Sequence, residues 1–300
     1  MKVLITGASG FIGNHTAAEF RRRGCDVVCW NRSDAALGFP STTIDLTDED
    51  AMIRQLHALS PDVIVHCAGS ADVGKSVKDP IMDYHSNVTI THNLLFALHK
   101  LGLERTRFVF LSSAGVYGNP VSLPITEDMP LNPLSPYAVH KVMCEELCKY
   151  FAHNYHMNIK VARIFSAYGA GLRKQIFWDM YRKQKETGRL DMFGTGDESR
   201  DYIHVSDVVQ ALYLLAITDS DEVIFNVANG EETTIREAVG MFADAAQVGR
   251  DRISFNGFVR EGDPLNWRAD ISRIRALGYR KTVELQQGLA DYVCWASKQE

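Results

Sequence analysis

Tyr137 and Lys141 stand four residues apart in the stretch Tyr137-Ala138-Val139-His140-Lys141. On a helix that spacing puts both side chains on one face. A lysine ammonium beside a phenol favours the phenolate, which gives a usable acid or base near neutrality. Ser112 and Ser113 close an apolar run that begins at Phe108. A serine hydroxyl at such a strand end can hydrogen-bond the same substrate oxygen. Y-x-x-x-K alone mostly marks a helix surface, so its meaning depends on what precedes it.

What precedes it is a glycine loop. Val3-Leu4-Ile5 runs into Thr6-Gly7-Ala8-Ser9-Gly10-Phe11-Ile12-Gly13 and then a helical stretch from Asn14 to Arg23. A strand, a glycine turn and a helix N-terminus offer unpaired backbone N–H groups to a pyrophosphate. Gly7 permits the sharp turn, Gly10 the approach of phosphate and Gly13 tight helix–strand packing. The spacing is G-x-x-G-x-x-G, and it points to a dinucleotide. The second strand ends in Cys29-Trp30-Asn31-Arg32-Ser33-Asp34. NAD sites usually place an acid there, whereas an arginine accommodates a 2′-phosphate. Asn31 with Arg32 and Ser33 therefore favours NADP(H), and Asp34 leaves NAD(H) open. Asp45 and Leu46, after the third strand, are placed to frame the adenine.

The elements that must position these residues follow a regular pattern. Strands are expected at Val27 to Trp30, Thr42 to Ile44, Val63 to Val65, Phe108 to Leu111, Ile159 to Ile164 and Val223 to Val227. Helices are expected at Asp48 to Leu59, Met82 to Leu101, Tyr137 to Tyr155 and Val205 to Ala216. Apolar runs without alternation, separated by helices, indicate a parallel sheet covered on both faces. The expected class is α/β, a Rossmann-like doubly wound parallel sheet with a smaller interleaved substrate domain. Residues 1–165 with about 201–228 would form the dinucleotide-binding part, and 166–200 with 229–300 the second part.

Composition narrows the partners. Lys plus Arg is 32 and Asp plus Glu is 37, a net charge of −5. No broad basic surface invites nucleic acid, and no apolar run is long enough to cross a bilayer. Met1 to Ile5 is too short for a secretory core, so a cytoplasmic protein is expected. Six cysteines in 300 residues do not make a disulfide framework. The pairs Cys25/Cys29 and Cys144/Cys148 read as core fillers. His153 and His156 lack further ligands, so no metal is expected.

The blocks T-G-A-S-G-F-I-G at 6–13, H-C-A-G at 66–69, S-S-A-G-V-Y-G at 112–118 and S-P-Y-A-V-H-K at 135–141 occur in this order. R-I-F-S-A-Y-G at 163–169, R-D-Y-I-H-V-S-D at 200–207 and R-E-G-D-P at 260–264 follow. Together they resemble the extended short-chain dehydrogenase/reductases, the NAD-dependent epimerase/dehydratase family acting on nucleotide sugars. The resemblance spans nearly the whole chain. It implies Ser113, Tyr137 and Lys141 as the catalytic set, with Tyr137 exchanging a proton at the sugar oxygen and Lys141 also holding the nicotinamide ribose. It implies Ala68 beside the cofactor, Asn87 near the active site, and Arg200 and Arg260 on the substrate diphosphate. Asp263 matches a position near the nucleotide ribose. Ser166 stands where relatives often carry Asn. Family members commonly dimerise through two long helices per subunit in a four-helix bundle, here about 82–101 and 137–155, and a homodimer is expected.

Ala114 and Gly115 occupy positions where dehydratases of the family carry carboxylates, and neither can transfer a proton. Epimerase and reductase remain. Arg32 and Ser33 tip the reading toward an NADPH-dependent reductase of a nucleotide-linked 4-keto-6-deoxyhexose, with a 4-epimerase holding NAD as the alternative. A non-catalytic dinucleotide-binding regulator would be expected to lose the Tyr/Lys pair or the serine, and all three are present.

Overall fold

The computed structural model describes residues 1–34, 38–258 and 265–299. The triplet Val3-Leu4-Ile5 forms the centre of β1 (Lys2–Thr6) and is fully buried. Alternation along the strand sends Val3 and Ile5 to one face and Leu4 to the other, and two separate hydrophobic clusters receive them. The same two-sided burial accounts for the apolar runs of the next strands. These are β2 (Asp26–Asn31), the short edge strand β3 (Ser41–Thr43), β4 (Val63–His66), β5 (Arg107–Ser113) and β6 (Ile159–Ile164). Short strands β7 (Ser166–Tyr168), β8 (Leu190–Met192), β9 (Ser199–Arg200) and β10 (Tyr202–His204) lie outside the large sheet. The chain then returns to it as β11 (Ile224–Val227).

The large sheet has seven strands in the order β11-β6-β5-β4-β1-β2-β3, all parallel. From β1 the chain winds outward through β2 and β3, then crosses back to place β4 on the other side. That reversal opens a crevice at the carboxyl ends of β1 and β4, where ligands bind in sheets of this kind. The arrangement is the doubly wound, Rossmann-like α/β fold.

Nine helices matter for the site or its support. In chain order they are α1 (Phe11–Arg22), α2 (Glu49–Leu59), α3 (Val73–Lys78), α4 (Pro80–Tyr84), α5 (Ile90–Lys100), α6 (Pro136–Asn154), α7 (Gln175–Thr187), α8 (Val205–Ile217) and α9 (Ile235–Ala245). Phe20 of α1 and Leu212 of α8 pack over the Val3 face. Leu56 of α2, Leu94 of α5 and Cys148 of α6 pack over the Leu4 face. A third cluster joins Phe177, Met180, Val239 and Phe242 of α7 and α9 to Leu289 and Tyr292 of the helix Leu285–Ala296. Ala269, Ile271, Ile274 and Tyr279 pack instead with the large sheet.

One expected element differs. The helical stretch 82–101 is interrupted by a π turn, His85–Thr89, between α4 and α5. Side chains support the wider turn: Asn87 Nδ2 donates to the Asp83 carbonyl at 3.0 Å and Thr91 Oγ1 donates to the Asn87 carbonyl at 2.7 Å. Such turns recur at functional sites. Among the described residues, no helix is long and apolar enough to cross a membrane.

Candidate active site

The glycine loop is built by close backbone approach. Gly7 has φ +67°, and a Cβ there would meet Ala68 Cα at 2.6 Å. A Cβ on Gly13 would lie 2.3 Å from the Gly7 carbonyl oxygen. Gly10 caps α1 without a side chain, which leaves the first N–H groups of the helix open to an anion. Gly10, Phe11, Ile12, Gly13 and Ala68 line one end of a cleft of about 810 Å³. Glycine at 7 and 13 lets the loop, β4 and α1 pack backbone against backbone, and the uncapped start of α1 beside the cleft fits the pyrophosphate of a dinucleotide.

At the end of β2, Asn31 is 4% exposed. Its Oδ1 accepts the Ser9 N–H at 2.7 Å, and its Nδ2 has no partner among the described residues. Arg32 and Ser33 are exposed beside it. Hydrogen bonds from Thr47, with a contribution from the Arg32 charge, hold the Asp45 carboxyl below its usual range. Leu46 is a core residue whose carbonyl accepts from Asn93. Asn31, Arg32, Ser33, Asp45 and Leu46 thus gather at the carboxyl ends of β2 and β3, although none lines the cleft itself.

The catalytic candidates converge on the cleft from two elements. Ser113 ends β5, and its Oγ accepts the Gly115 N–H at 3.1 Å. Tyr137 opens α6, whose start is set by Ser135 accepting the Ala138 N–H and by Pro136 in the first turn. The Tyr137 N–H donates to Ser76 Oγ at 3.1 Å. Lys141, 6% exposed, donates from Nζ to the Leu111 carbonyl at 2.9 Å. Its ammonium lies 4.8 Å from the Phe110 ring centre and 5.8 Å from that of Tyr137. Ser113, Tyr137 and Lys141 all line the same cleft. Beneath them, His66 shares hydrogen bonds with Thr6 at 2.7 Å and Thr91 at 3.2 Å. Burial, with the Lys141 charge adding to it, pushes His66 down to about 3, so the ring is neutral. Ala114 is buried and Gly115 lines the cleft, so neither supplies a carboxylate.

Ser166 and Arg200 also line the cleft, Ser166 two residues beyond Ile164, the strand partner of Ser113. Arg200 Nη1 donates to the Ser199 carbonyl at 2.8 Å, and the guanidinium lies 5.7 Å from the Trp267 ring centre. Asn87 is buried behind the cleft wall. Arg260 and Asp263 lie outside the described residues. Sequence reasoning missed Trp267, which lines the cleft and donates from Nε1 to the Gly118 carbonyl at 3.0 Å. It also missed Phe193, with Lys183 5.6 Å above its ring and paired to Asp179 at 2.9 Å. The aromatic before Gly194 was the one local signal for Phe193. Nothing adjacent to Trp267 marks its contact with a residue 149 positions away. Lys141, Lys174, Lys183 and Arg200 outnumber Asp179 and Glu198 along the lining, a balance suited to an anionic ligand.

Comparison with known proteins places this geometry in a class. Residues 3–228 match the model of the NAD dependent epimerase/dehydratase family. The UDP-glucose 4-epimerase of Mycolicibacterium smegmatis is 33% identical over 98% of this chain and 97% of that protein. The GDP-6-deoxy-D-mannose reductase of Pseudomonas aeruginosa is 30% identical over 96% of this chain and 94% of that protein. A solved structure of the Thermus thermophilus UDP-glucose 4-epimerase in complex with NAD superimposes with a TM-score of 0.89 at 27% identity, covering both chains completely at 100%. The chain belongs to the NAD dependent epimerase/dehydratase family.

Proposed function

We propose that the protein is a nucleotide-sugar 4-epimerase. The observation that carries the reading is the meeting of Ser113, Tyr137 and Lys141 with the glycine loop in one cleft, with no carboxylate at 114 or 115. End-to-end similarity to UDP-glucose 4-epimerases supports it over the reductase favoured by Arg32 and Ser33. Gly7, Gly10 to Gly13, Asn31, Arg32, Ser33, Asp45, Leu46 and Ala68 would hold the dinucleotide. When bound, a nicotinamide dinucleotide supplies the hydride acceptor and donor. Tyr137 takes the C4 hydroxyl proton as the C4–H bond gives up its hydride, leaving a 4-ketone. Ser113 hydrogen-bonds that oxygen, and Lys141 keeps positive charge beside the phenol. After the sugar turns over, Tyr137 would return the proton to the C4 oxygen while C4 is reduced on its opposite face. Arg200 would pair with the diphosphate, where an arginine fork is well matched, and Arg260 and Asp263 are proposed to complete the nucleotide site. Ser166 would contact the substrate phosphate side, and Asn87 would act from behind the wall.

The test is interconversion of UDP-glucose and UDP-galactose, followed by proton NMR without net consumption of coenzyme. The reductase reading keeps one specific support, the cation and hydroxyl at 32–33 in place of an acid. Stoichiometric oxidation of NADPH by a nucleotide-linked 4-keto-6-deoxyhexose, with no epimerisation, would establish that reading instead. The coenzyme choice has its own measurement. Arg32→Asp weakens NADPH binding by about 10-fold to 100-fold more than NADH binding, the worth of a charged hydrogen bond. Equal losses in a fluorescence titration would remove Arg32 from the 2′-phosphate position.

Apolar side chains stay exposed on adjoining helices: Ile81 and Met82 of α4, Phe96 of α5, and Val139, Met143 and Tyr150 of α6. A patch of this kind marks an interface, and we propose a homodimer packed through α5 and α6 as a four-helix bundle. Light scattering should then return twice the 33.6 kDa chain mass.

A further inference from the structure

His140 sits in the same turn of α6 as Tyr137 and Lys141, yet nothing in the proposed chemistry uses it. Its Nδ1 meets Asp83 Oδ2 of α4 at 2.7 Å. The Asp83 and His140 side chains are 3% and 11% exposed. The Tyr84 ring packs against the imidazole nearly edge-on, with centroids 5.6 Å apart. The second Asp83 oxygen has no hydrogen-bond partner among the described residues. Burying a carboxylate with one oxygen bare is costly, so the contact with His140 is what makes the burial tolerable.

Asp83 also faces the other way. Its peptide carbonyl accepts from Asn87 Nδ2 at 3.0 Å, which fixes the Asn87 side chain in the π turn. Asn87 Oδ1 in turn lies 2.7 Å from where a side chain on Gly69 would begin, and Gly69 lines the cleft. One residue therefore joins the Asn87 turn to the turn carrying Tyr137 and Lys141. That second turn has two other anchors, Ser76 on the Tyr137 N–H and the Leu111 carbonyl on the Lys141 ammonium. An apolar pair would hold two helices together as well as a buried ionisable pair does, and often better. A directional hydrogen bond does something else, because it fixes the rotation of one helix against the other.

We propose that the His140–Asp83 pair is a positioning device that keeps the Tyr137–Lys141 turn in register with the Asn87 turn and so sets the rate of the redox step. This role rests on the proposed 4-epimerase chemistry. Neither residue touches the reacting atoms. The pair's effect falls on turnover and spares the affinity for the nucleotide sugar, because neither residue lines the cleft.

The experiment compares wild type, Asp83→Asn and the double variant His140→Leu/Asp83→Leu in single-turnover absorbance at 340 nm with UDP-glucose and bound NAD. KM in steady state and thermal midpoint are measured alongside. The double variant removes both polar partners, which spares the fold the unpaired carboxylate that a single replacement would leave. Its midpoint should stay within a few degrees of wild type, its KM should hold, and its rate should fall by about 10²-fold, the cost of a small misplacement. Asp83→Asn keeps an acceptor for the imidazole N–H and should recover most of the rate. A double variant as fast as wild type would overturn the proposal. So would a rate that tracks the midpoint across all three proteins, since that marks plain structural support. A wild type inert toward every nucleotide sugar would overturn the 4-epimerase reading and this role with it, whereas an active wild type matched by the double variant sinks the role alone.

Discussion

Tyr137→Phe lowers turnover by about 10²-fold to 10⁴-fold, the span that a positioned proton donor or acceptor contributes. The substitution removes one oxygen from a ring that is 8% exposed and leaves its packing intact. The backbone N–H that donates to Ser76 is untouched, as is the Lys141 bond to the Leu111 carbonyl. Coenzyme affinity and thermal midpoint should therefore stay near wild type while the C4 oxygen loses its proton partner. Loss of kcat without change in KM is the signature of an interaction made in the transition state. Single-turnover absorbance at 340 nm with a nucleotide sugar, beside a coenzyme titration, separates the two effects. A variant with wild-type turnover would remove Tyr137 from the chemistry, whatever the reaction.

Glu145→Ala costs about 3–5 kcal/mol of stability, because it leaves a buried guanidinium without its counter-charge. Arg163 is 2% exposed and Glu145 is fully buried. Arg163 donates from Nε to both carboxylate oxygens at 3.0 and 3.1 Å and from Nη2 to Oε2 at 2.6 Å. Its Nη1 donates to the Tyr117 hydroxyl at 2.8 Å and the Glu127 carbonyl at 2.9 Å. Ser112 Oγ completes the shell by donating to Glu145 Oε1 at 2.5 Å. Removing the carboxylate thus strands a serine as well as an arginine in the interior between β5, β6 and α6. For a chain of this size the thermal midpoint should drop by about 5–8 °C. Differential scanning calorimetry decides it, and a drop under about 2 °C would show that water or a repacked neighbour replaces the carboxylate. Adding Arg163→Met to Glu145→Leu should return much of the loss, since an apolar pair of similar volume avoids the buried charge.

The fold was readable in the sequence because its strands are buried on both faces. Val3-Leu4-Ile5 and Val63-Ile64-Val65 need no alternation when helices cover each side, and their apolar runs announced the sheet directly. The glycine loop and the Tyr137/Lys141 spacing were readable because the physics behind each is local to a few residues. The π turn at 85–89 was not. Its apolar spacing imitates a continuous helix, and the buried Asn87 that bonds within the turn is set by tertiary packing. Trp267 escaped for a related reason, since its role depends on a hydrogen bond to Gly118, 149 positions away. The coenzyme reading reached Arg32 and Ser33 but could not foresee that Asn31 gives its oxygen to the Ser9 amide. The choice between epimerase and reductase turns on how a sugar can move in the cleft, which residue types alone do not encode.

The bond from Lys141 to the Leu111 carbonyl moves an entropic cost from one event to another. A free lysine side chain loses about 1.5–2 kcal/mol of rotamer freedom when it is fixed. Here the freezing belongs to folding, because the ammonium is tied to β5 before any ligand enters. The cleft therefore meets its ligands with that charge already immobile. Ligand affinity is not drained by ordering the side chain, and the fold carries that burden whether or not a substrate is present.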